Sequence, residues 1–591
     1  LANIAAGHAD NPFVSREQAF VQLDAMVSSL LADQSDPVIS AKGLLVNFLG
    51  FDKAVRVGPL SEEVEKSRFI AAFGAEQAEQ IWAALVARKW IVPRQDGTLA
   101  RIQRQGEYGG QFFTGELEPF ADREIRERIM ALLDVRVVQI IFGDNANLTA
   151  SAAKAAGALM RHTIAADPRV TGLRRKLEYF IARQEPGYRA LYDKQTGTFF
   201  FGWNATHDRH TGWEDGGGQW VTGHMNYFIN EFRGPLMFVV QRFDLPLNAI
   251  RNNAFKLKPY RMANGRDLYT LASWNGSAFE SLGLSLFMGE MDLPGWQENL
   301  DNAVAIALDY ARRHRLPGIL SEAYSGNGVE YTGRIGIPDI AVDRSPRITD
   351  APSLYMLGVA YGIAPEPVER FLEENRERIE GLFTEHGPWE GYNTSRKRAI
   401  EYQTTAHTLA LILGGIGSAD ANMQRYRQWK GLPSIATLGG PGAAFDFLGE
   451  RAQWTAWSAV GDRLEVASKD AGLRIRGQGI RDAAITIKWT GSERVNLSNG
   501  VLRLEYRTPR ALDVVMSMVN GASGVNQEIL ARFNAVTGKT AREIRVPLPA
   551  TPGLADVREV VLRFGQQSAP QALDLSLTGF EFIPAAPAAL P

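Results

Sequence analysis

Val368-Glu369-Arg370-Phe371-Leu372-Glu373-Glu374-Asn375-Arg376-Glu377-Arg378-Ile379-Glu380-Gly381-Leu382-Phe383 decides the character of the central region. Apolar side chains fall at 368, 371, 372, 379, 382 and 383, the spacing of one helix face. The period recurs at Leu173, Leu177, Phe180 and Ile181, and at Ala303, Ala307, Leu308 and Ala311. Long Gly- and aromatic-rich loops, 202–218, 321–350 and 387–397, lie between such segments. Many helices joined by long loops point to a helical toroid with a site at one end, over 119–432.

Toward the C-terminus the period changes to two. Ala484-Ile485-Thr486-Ile487-Lys488-Trp489, Val501 to Tyr506 and Leu573 to Leu577 alternate, and Val560 to Phe564 is a further short run. Short strands with turn signals between them predict a β-sandwich over 445–591, reached through a Gly/Pro linker at 433–442. Residues 1–118 read as a small, mostly helical accessory region. Within it, Phe69 and Phe73, then Ile81 and Leu85, pair at a spacing of four, and Gly74 is placed to split the stretch into two helices. Residues 90–102 read as two short strands around a turn. The expected fold class is mainly α with an all-β C-terminal domain.

The 591 residues are 45% apolar and 22% charged, values of an ordinary globular chain. Lys+Arg number 64 and Asp+Glu 66, a net charge of -2, without the basic excess of a nucleic-acid binder. A neutral polymer such as a glycan fits that balance better. Cysteine is absent, which excludes disulfides, zinc–thiolate sites and thiol catalysis. No apolar run approaches the ~18–20 residues of a membrane span. The chain begins at Leu1 and not Met, read as a processed product or a trimmed chain from which any signal peptide is already gone, and a periplasmic or secreted location is expected.

Polar and aromatic residues are densest from Trp203 to Glu231. Trp203, Trp213 and Trp220 lie there with His207, His210 and His224, beside Asp208, Glu214, Asp215 and Glu231. Pyranose rings present apolar C–H faces to aromatic rings while their hydroxyls need charged or amide partners, so this mixture suits a sugar cleft. The bland alternative is a set of packed turns with satisfied core histidines. His207-Asp208-Arg209-His210 is not a strong metal-ligand spacing, so neither metal nor cofactor is expected. In Ala272 to Leu282, Ser277 reads as a helix N-cap and Glu280 as its third helical residue. Glu280 then either closes a capping box or, beside Trp274 and Phe279, serves as a buried general acid.

Several of these segments, in this order, resemble the glucoamylase-like α/α-toroid glycoside hydrolases that include bacterial β-1,2-glucanases and the cyclic β-1,2-glucan synthase domain. Asn147 to Ala150, Leu173 to Arg183 and Gly197 to Asn204 are similar to the family's opening helix pair and its Gly-Phe-Phe-x-x-Trp segment. Asn226 to Pro246 resembles its Asn-Glu-Tyr helix, and Trp274-Asn275-Gly276-Ser277-Ala278-Phe279-Glu280 its Trp-x-Gly-x-x-Phe-Glu segment. Gly318 to Tyr324, Gly387 to Asn393 and Tyr402 to His407 occupy the places of its later loop motifs. Trp213-Glu214-Asp215-Gly216-Gly217-Gly218 departs from the family pattern, as does the loop after Tyr324. The resemblance covers roughly 140–415 and implies an (α/α)6 barrel.

The resemblance also implies a glycosidase working on a polysaccharide or oligosaccharide, foremost a β-glucan, with the Phe-Glu glutamate Glu280 as general acid. A second carboxylate activates water or attacks the sugar. Asp215 is the leading candidate, then Asp208, then Asp343, and inversion is favoured. Trp203, Trp213, Trp274, Trp389 and Tyr392 are expected as sugar platforms. Gln219, His224, Asn226, Glu231, Glu322 and His407 are expected to bind hydroxyls, with His207, His210 and Tyr324 also among the substrate contacts. The rival readings are a transglycosylase or cyclising enzyme of the same group, a non-catalytic glycan binder, and a polysaccharide lyase. A lyase would use His210, Tyr324 and Arg334.

Overall fold

The computed structural model describes residues 1–8, 11–52, 55–94, 97–103, 122–160, 167–324, 331–385, 387–393, 398–399, 406–416, 420–434, 442–459, 461–469, 472–489, 494–521, 524–535, 540–565 and 570–585. It divides into two compact units. The first is Leu1–Asp193 with Phe199–Met225, and the second is Lys194–Thr198 with Asn226–Pro591.

In the first unit, helix Arg16–Ser35 starts at a full capping box between Ser15 and Gln18, which satisfies two otherwise orphaned N–H groups. It packs against helix Pro168–Ala182, which also packs on the alanine-rich helix Phe142–Ala158. Small side chains on that last helix let its neighbours approach, and Asn145 uses its amide to satisfy both backbone groups of Leu45. Gly74, at φ 79°, separates helices Lys66–Phe73 and Ala75–Ala87, as the spacing predicted. Residues Ile91–Pro93 and Leu99–Ile102 form the expected strand pair, and Glu63–Glu65 adds a third strand. Phe69, Trp82, Trp90 and Ile129 fill the core under it. The accessory region therefore mixes helices with short strands.

The second unit joins helices to two sheets. One sheet has seven strands in the order Asp267–Leu271, Lys256–Arg261, Asn526–Phe533, Leu512–Asn520, Val557–Gly565, Asp482–Trp489, Ala452–Ser458. The other runs Arg463–Lys469, Gly472–Ile480, Gln571–Pro584, Gly500–Arg507, Arg542–Leu548, with Phe445–Asp446 also paired to Gln571–Pro584. Burial alternates along Asp482–Trp489 and Gly500–Arg507, so each sheet buries one face. Those faces meet through Tyr506 against Phe533, with ring centroids 4.6 Å apart, and Phe445 against Trp489 at 4.8 Å.

Two sequence expectations change here. The hairpin 256–271, inside the region read as helical, is built into the seven-stranded sheet by parallel pairing of Lys256 with Glu528. Its outer strand is an edge, and helix Pro294–His314 covers it. Asn299 accepts the Leu271 N–H at 2.8 Å and Asn302 donates to the Tyr269 carbonyl at 2.9 Å. The second change concerns 368–383. It is two helices, Pro365–Glu374 and Arg376–Glu380, because Asn375 binds the Phe371 carbonyl through its side chain and ends the first.

Candidate active site

The site of the second unit grows from the end of strand Asp267–Leu271. After it the chain turns through Trp274–Ser277 and enters the short helix Ala278–Leu282. A second backbone run lies alongside. Val342 N–H donates to Ser273 at 2.9 Å, Asp343 N–H to Trp274 at 3.0 Å and Ile337 N–H to Gly276 at 2.9 Å. Gly276 has φ 73°, and a Cβ there would stand 2.2 Å from the Ile337 carbonyl oxygen. Only glycine fits both demands. Gly276→Ala is expected to separate the two runs, costing stability and activity together, which thermal unfolding and turnover of the same preparation will record.

Glu280 is 4% exposed. Its carboxyl accepts the Asn275 backbone N–H and the Asn275 side-chain amide, both at 2.9 Å. Ser273 and the Ser277 backbone N–H add further stabilisation of the anion. Against these donors stands loss of hydration, and burial wins: the Glu280 carboxyl is held above the ordinary glutamate range. The capping box is thus half made. Glu280 takes the Ser277 N–H, but the Ser277 hydroxyl does not cap its own helix and accepts the Glu322 N–H at 3.0 Å instead.

Asn275 is itself oriented by Arg347, which is 1% exposed and donates to the Asn275 side-chain oxygen at 2.6 Å. A guanidinium only donates, so it fixes which end of the amide is oxygen and leaves the NH2 end for Glu280. Arg347 also pairs with Asp343. Asp343 further accepts the Ser345 backbone N–H and hydroxyl, each at 3.0 Å. These donors push the Asp343 carboxyl down to about 2. One hydrogen-bonded chain, Glu280–Asn275–Arg347–Asp343, therefore links a carboxyl raised by burial, against its Asn275 donors, to one that its donors hold as an anion.

The rest of the pocket wall follows. The Tyr355 hydroxyl donates to the Glu322 carbonyl, and the Ser321 hydroxyl accepts the Phe279 N–H at 3.1 Å. A Cβ at Gly333 would lie 3.5 Å from the Asn275 amide nitrogen and 3.6 Å from a Glu322 carboxylate oxygen, so the two groups face one point. Trp274 is 50% exposed and meets Tyr227 edge-on at 6.1 Å. The Tyr227 hydroxyl donates to the Ala272 carbonyl at 2.8 Å, and burial, with the Glu280 charge as a minor cause, raises it. An open indole face thus stands beside a buried acid.

Asn226 is exposed and Glu231 half-buried, both in the turn before helix Arg233–Arg242. Trp389 and Tyr392 are half-buried. Tyr324 lies in strand Ala323–Tyr324 and His407 in helix Ala406–Ile416, but their side chains lie outside the described residues.

The other expected residues belong to the first unit. Trp203 pairs with His210 across the hairpin of Gly202–Asn204 and Arg209–His210, and the Trp203 indole donates to Asp208 at 3.1 Å. His210 stacks on Phe200 at 3.6 Å, and burial, then His224, pulls its imidazole down. The His224 ring nitrogens face Asp193 at 3.0 Å and the Thr222 carbonyl at 3.1 Å. His207 lies 3.7 Å from Glu65. Trp213 and Gln219 are exposed in and beside the next hairpin. Asp215 closes that hairpin by accepting the Gly217 and Gln219 N–H groups, both at 2.9 Å. Among the described residues no group of three His, Cys, Asp or Glu side chains is arranged to hold a metal ion. Asn275, Arg347, Ser321 and Tyr355 were not singled out from the sequence for chemistry. Arg347 carries no local signal, since it lies 72 residues from Asn275.

No protein-family model and no curated protein matches the sequence. Among solved structures, the fold is similar to an endo-β-1,2-glucanase from Talaromyces funiculosus solved with sophorose. That match has 13% identity and a TM-score of 0.43, over 73% of this chain and 90% of that one. An endo-β-1,2-glucanase from Chitinophaga pinensis, in a sophorotriose and glucose complex, matches at 12% identity and TM-score 0.38, over 70% and 95%. A family 11 carbohydrate-binding module from Clostridium thermocellum matches at 10% and TM-score 0.19, over 24% and 95%.

Proposed function

We propose that this chain is a glycoside hydrolase of a neutral β-glucan, built on an (α/α)6 catalytic body with a β-sandwich, and working in the periplasm or outside the cell. The observation that carries the reading is the chain Glu280–Asn275–Arg347–Asp343. A glycosidase needs one carboxyl that keeps its proton and a second that stays ionised, and unequal environments are how a protein separates them.

Glu280 is the general acid that protonates the leaving oxygen. Asp343 is the second carboxylate and activates water, giving inversion. We place this role on Asp343 and not on the earlier candidates because Asp343 is joined to Glu280 through Arg347 and Asn275, whereas Asp215 and Asp208 bind groups of their own hairpins. Trp274 is a sugar platform, Glu322 a hydroxyl ligand, and Asn226, Glu231, Trp389, Tyr392 and His407 are further substrate contacts.

The pH dependence tests this assignment. Activity requires Glu280 protonated and Asp343 ionised. With Asp343 held down to about 2, no acidic limb is expected above about pH 3. A basic limb is expected as Glu280, raised by burial, loses its proton. Arg347→Met removes the cation beside Asp343. The Ser345 N–H and hydroxyl remain on Asp343, so the acidic limb of the kcat/KM profile for reducing-end release from β-glucan is expected to move up in pH while staying below the ordinary aspartate value. Unchanged acidic behaviour in that variant would remove Asp343 from the mechanism.

A further inference from the structure

The seven-stranded sheet has one face turned toward the other sheet and one turned away. Pairing across the outward face is continuous. Trp457 lies opposite Ala484, Ala484 opposite Arg563, Arg563 opposite Val515, and Val515 opposite Leu530. Directly paired residues share a face, so these five side chains form one row across the sheet. The neighbouring strand, Lys256–Arg261, continues it. Lys256 is paired in register with Glu528, and Lys258 follows two residues on, on the same face. Lys258 donates to the Ala341 carbonyl at 2.9 Å. Ala341 bridges to Ser273 and precedes Asp343 by two residues. Five strand spacings, about 24 Å, thus connect an exposed indole to the loop that carries the ionised carboxylate.

The chemistry of this row is specific. Trp457 is 56% exposed on the edge strand. Ala484, Val515 and Leu530 in the row are small or aliphatic, and Arg563 between them is held by Asp482. Charges on this face are matched across strands: Arg563 with Asp482, Lys488 with Glu559, and Lys256 with Glu528 at 2.7 Å. Lys258 spends its ammonium on the Ala341 carbonyl, and with the other three cations paired to carboxylates the face has little field to attract an anionic polymer. A flat row with a terminal indole suits the C–H faces of uncharged sugar rings.

We propose that this row is a binding track for a neutral, linear β-glucan that leads toward the catalytic loop, with Trp457 as its distal platform. The inference rests on the hydrolase reading above and extends it to a second contact surface. The Ala452–Ser458 edge could instead pair with a second copy of the chain, and the test separates the two.

Affinity electrophoresis of the full chain carrying Glu280→Gln, which binds without turnover, is run in gels containing linear β-1,2-glucan, β-1,3-glucan or alginate. Retardation by a neutral glucan and none by alginate is expected. Adding Trp457→Ala, or separately Ala484→Arg to block the row with a bulky charge, is expected to weaken that retardation about fivefold. Equal retardation with both substitutions overturns the track. Stronger retardation by alginate overturns the neutral ligand. A dimer on size exclusion that Trp457→Ala dissociates, with glucan retardation unchanged, assigns the edge to a second copy and also overturns it. Cleavage of a glucan by the wild-type chain, with no effect of either substitution on binding, refutes the track alone. Absence of cleavage on every glucan refutes the hydrolase reading itself.

Discussion

Glu280→Gln is expected to lower hydrolysis of a β-glucan by about 10²–10⁴-fold, the usual contribution of a positioned proton donor. The loss should depend on the leaving group. A glycosyl fluoride needs little protonation, so the variant should retain much more of the wild-type rate on it than on the polysaccharide. A capping glutamate would give the opposite pattern, with equal losses on both substrates and a drop in stability.

The linked stability effect has a definite sign. Burial raises the Glu280 carboxyl in the folded chain above its unfolded value. Its contribution is therefore full below the unfolded pKa, about 4.3, and is lost as pH rises through the folded value. Relative to the Gln variant, the wild type should lose stability from pH 4 to pH 8. Thermal unfolding of both proteins across that range measures the slope, which is independent of any fixed cost of placing an amide beside Asn275. A difference that stays constant with pH would mean that the carboxyl is not held protonated.

Breaking the buried pair of Arg233 and Glu290 is expected to give the largest stability loss in the chain. Arg233 is 1% exposed and Glu290 is fully buried. Two parallel hydrogen bonds of 2.8 Å join them, and the guanidinium lies 4.6 Å from the centre of the Trp296 ring. Arg233→Met or Glu290→Gln alone strands a buried charge or halves the fork, at about 3–5 kcal/mol for a fully stranded partner. The double replacement Arg233→Met with Glu290→Leu removes both charges and should recover most of that loss. The pair lies near the site, since Arg233 also reaches the Ser281 carbonyl at 3.5 Å, next to Glu280. Thermal unfolding of the two single variants and the double variant reads the coupling. Losses that simply add would show that the two residues act independently.

Sequence reading reached the parts of the fold that are local. Alternation at 484–489 and 501–506 reports a strand buried on one face wherever its partners lie, and Gly74 marks a helix break without help from other residues. The hairpin 256–271 escaped because its partner strand is more than 250 residues away and nothing nearby announces it. The break at Asn375 escaped because the apolar spacing runs on through it.

The site divides in the same way. Trp274, Asn275 and Glu280 sit within seven residues, so a motif could place the acid. Arg347 and Asp343 approach only when residues 335–343 lie along 273–276, a pairing set by backbone hydrogen bonds and by the glycine at 276. That is why Asp343 ranked behind Asp215 and Asp208, whose carboxylates stand in a sequence rich in Trp and His but serve their own hairpins. A buried carboxyl owes its character to partners, and partners distant in sequence leave no local pattern.

The most direct test is an anomer-resolved NMR time course of β-1,2-glucan with the wild-type chain and with Glu280→Gln, run at neutral pH. The account predicts new reducing-end resonances of one anomer from the wild type, appearing before mutarotation, and almost none from the variant. Equal product from both proteins, or resonances of an unsaturated sugar in place of a reducing end formed with water, would contradict it.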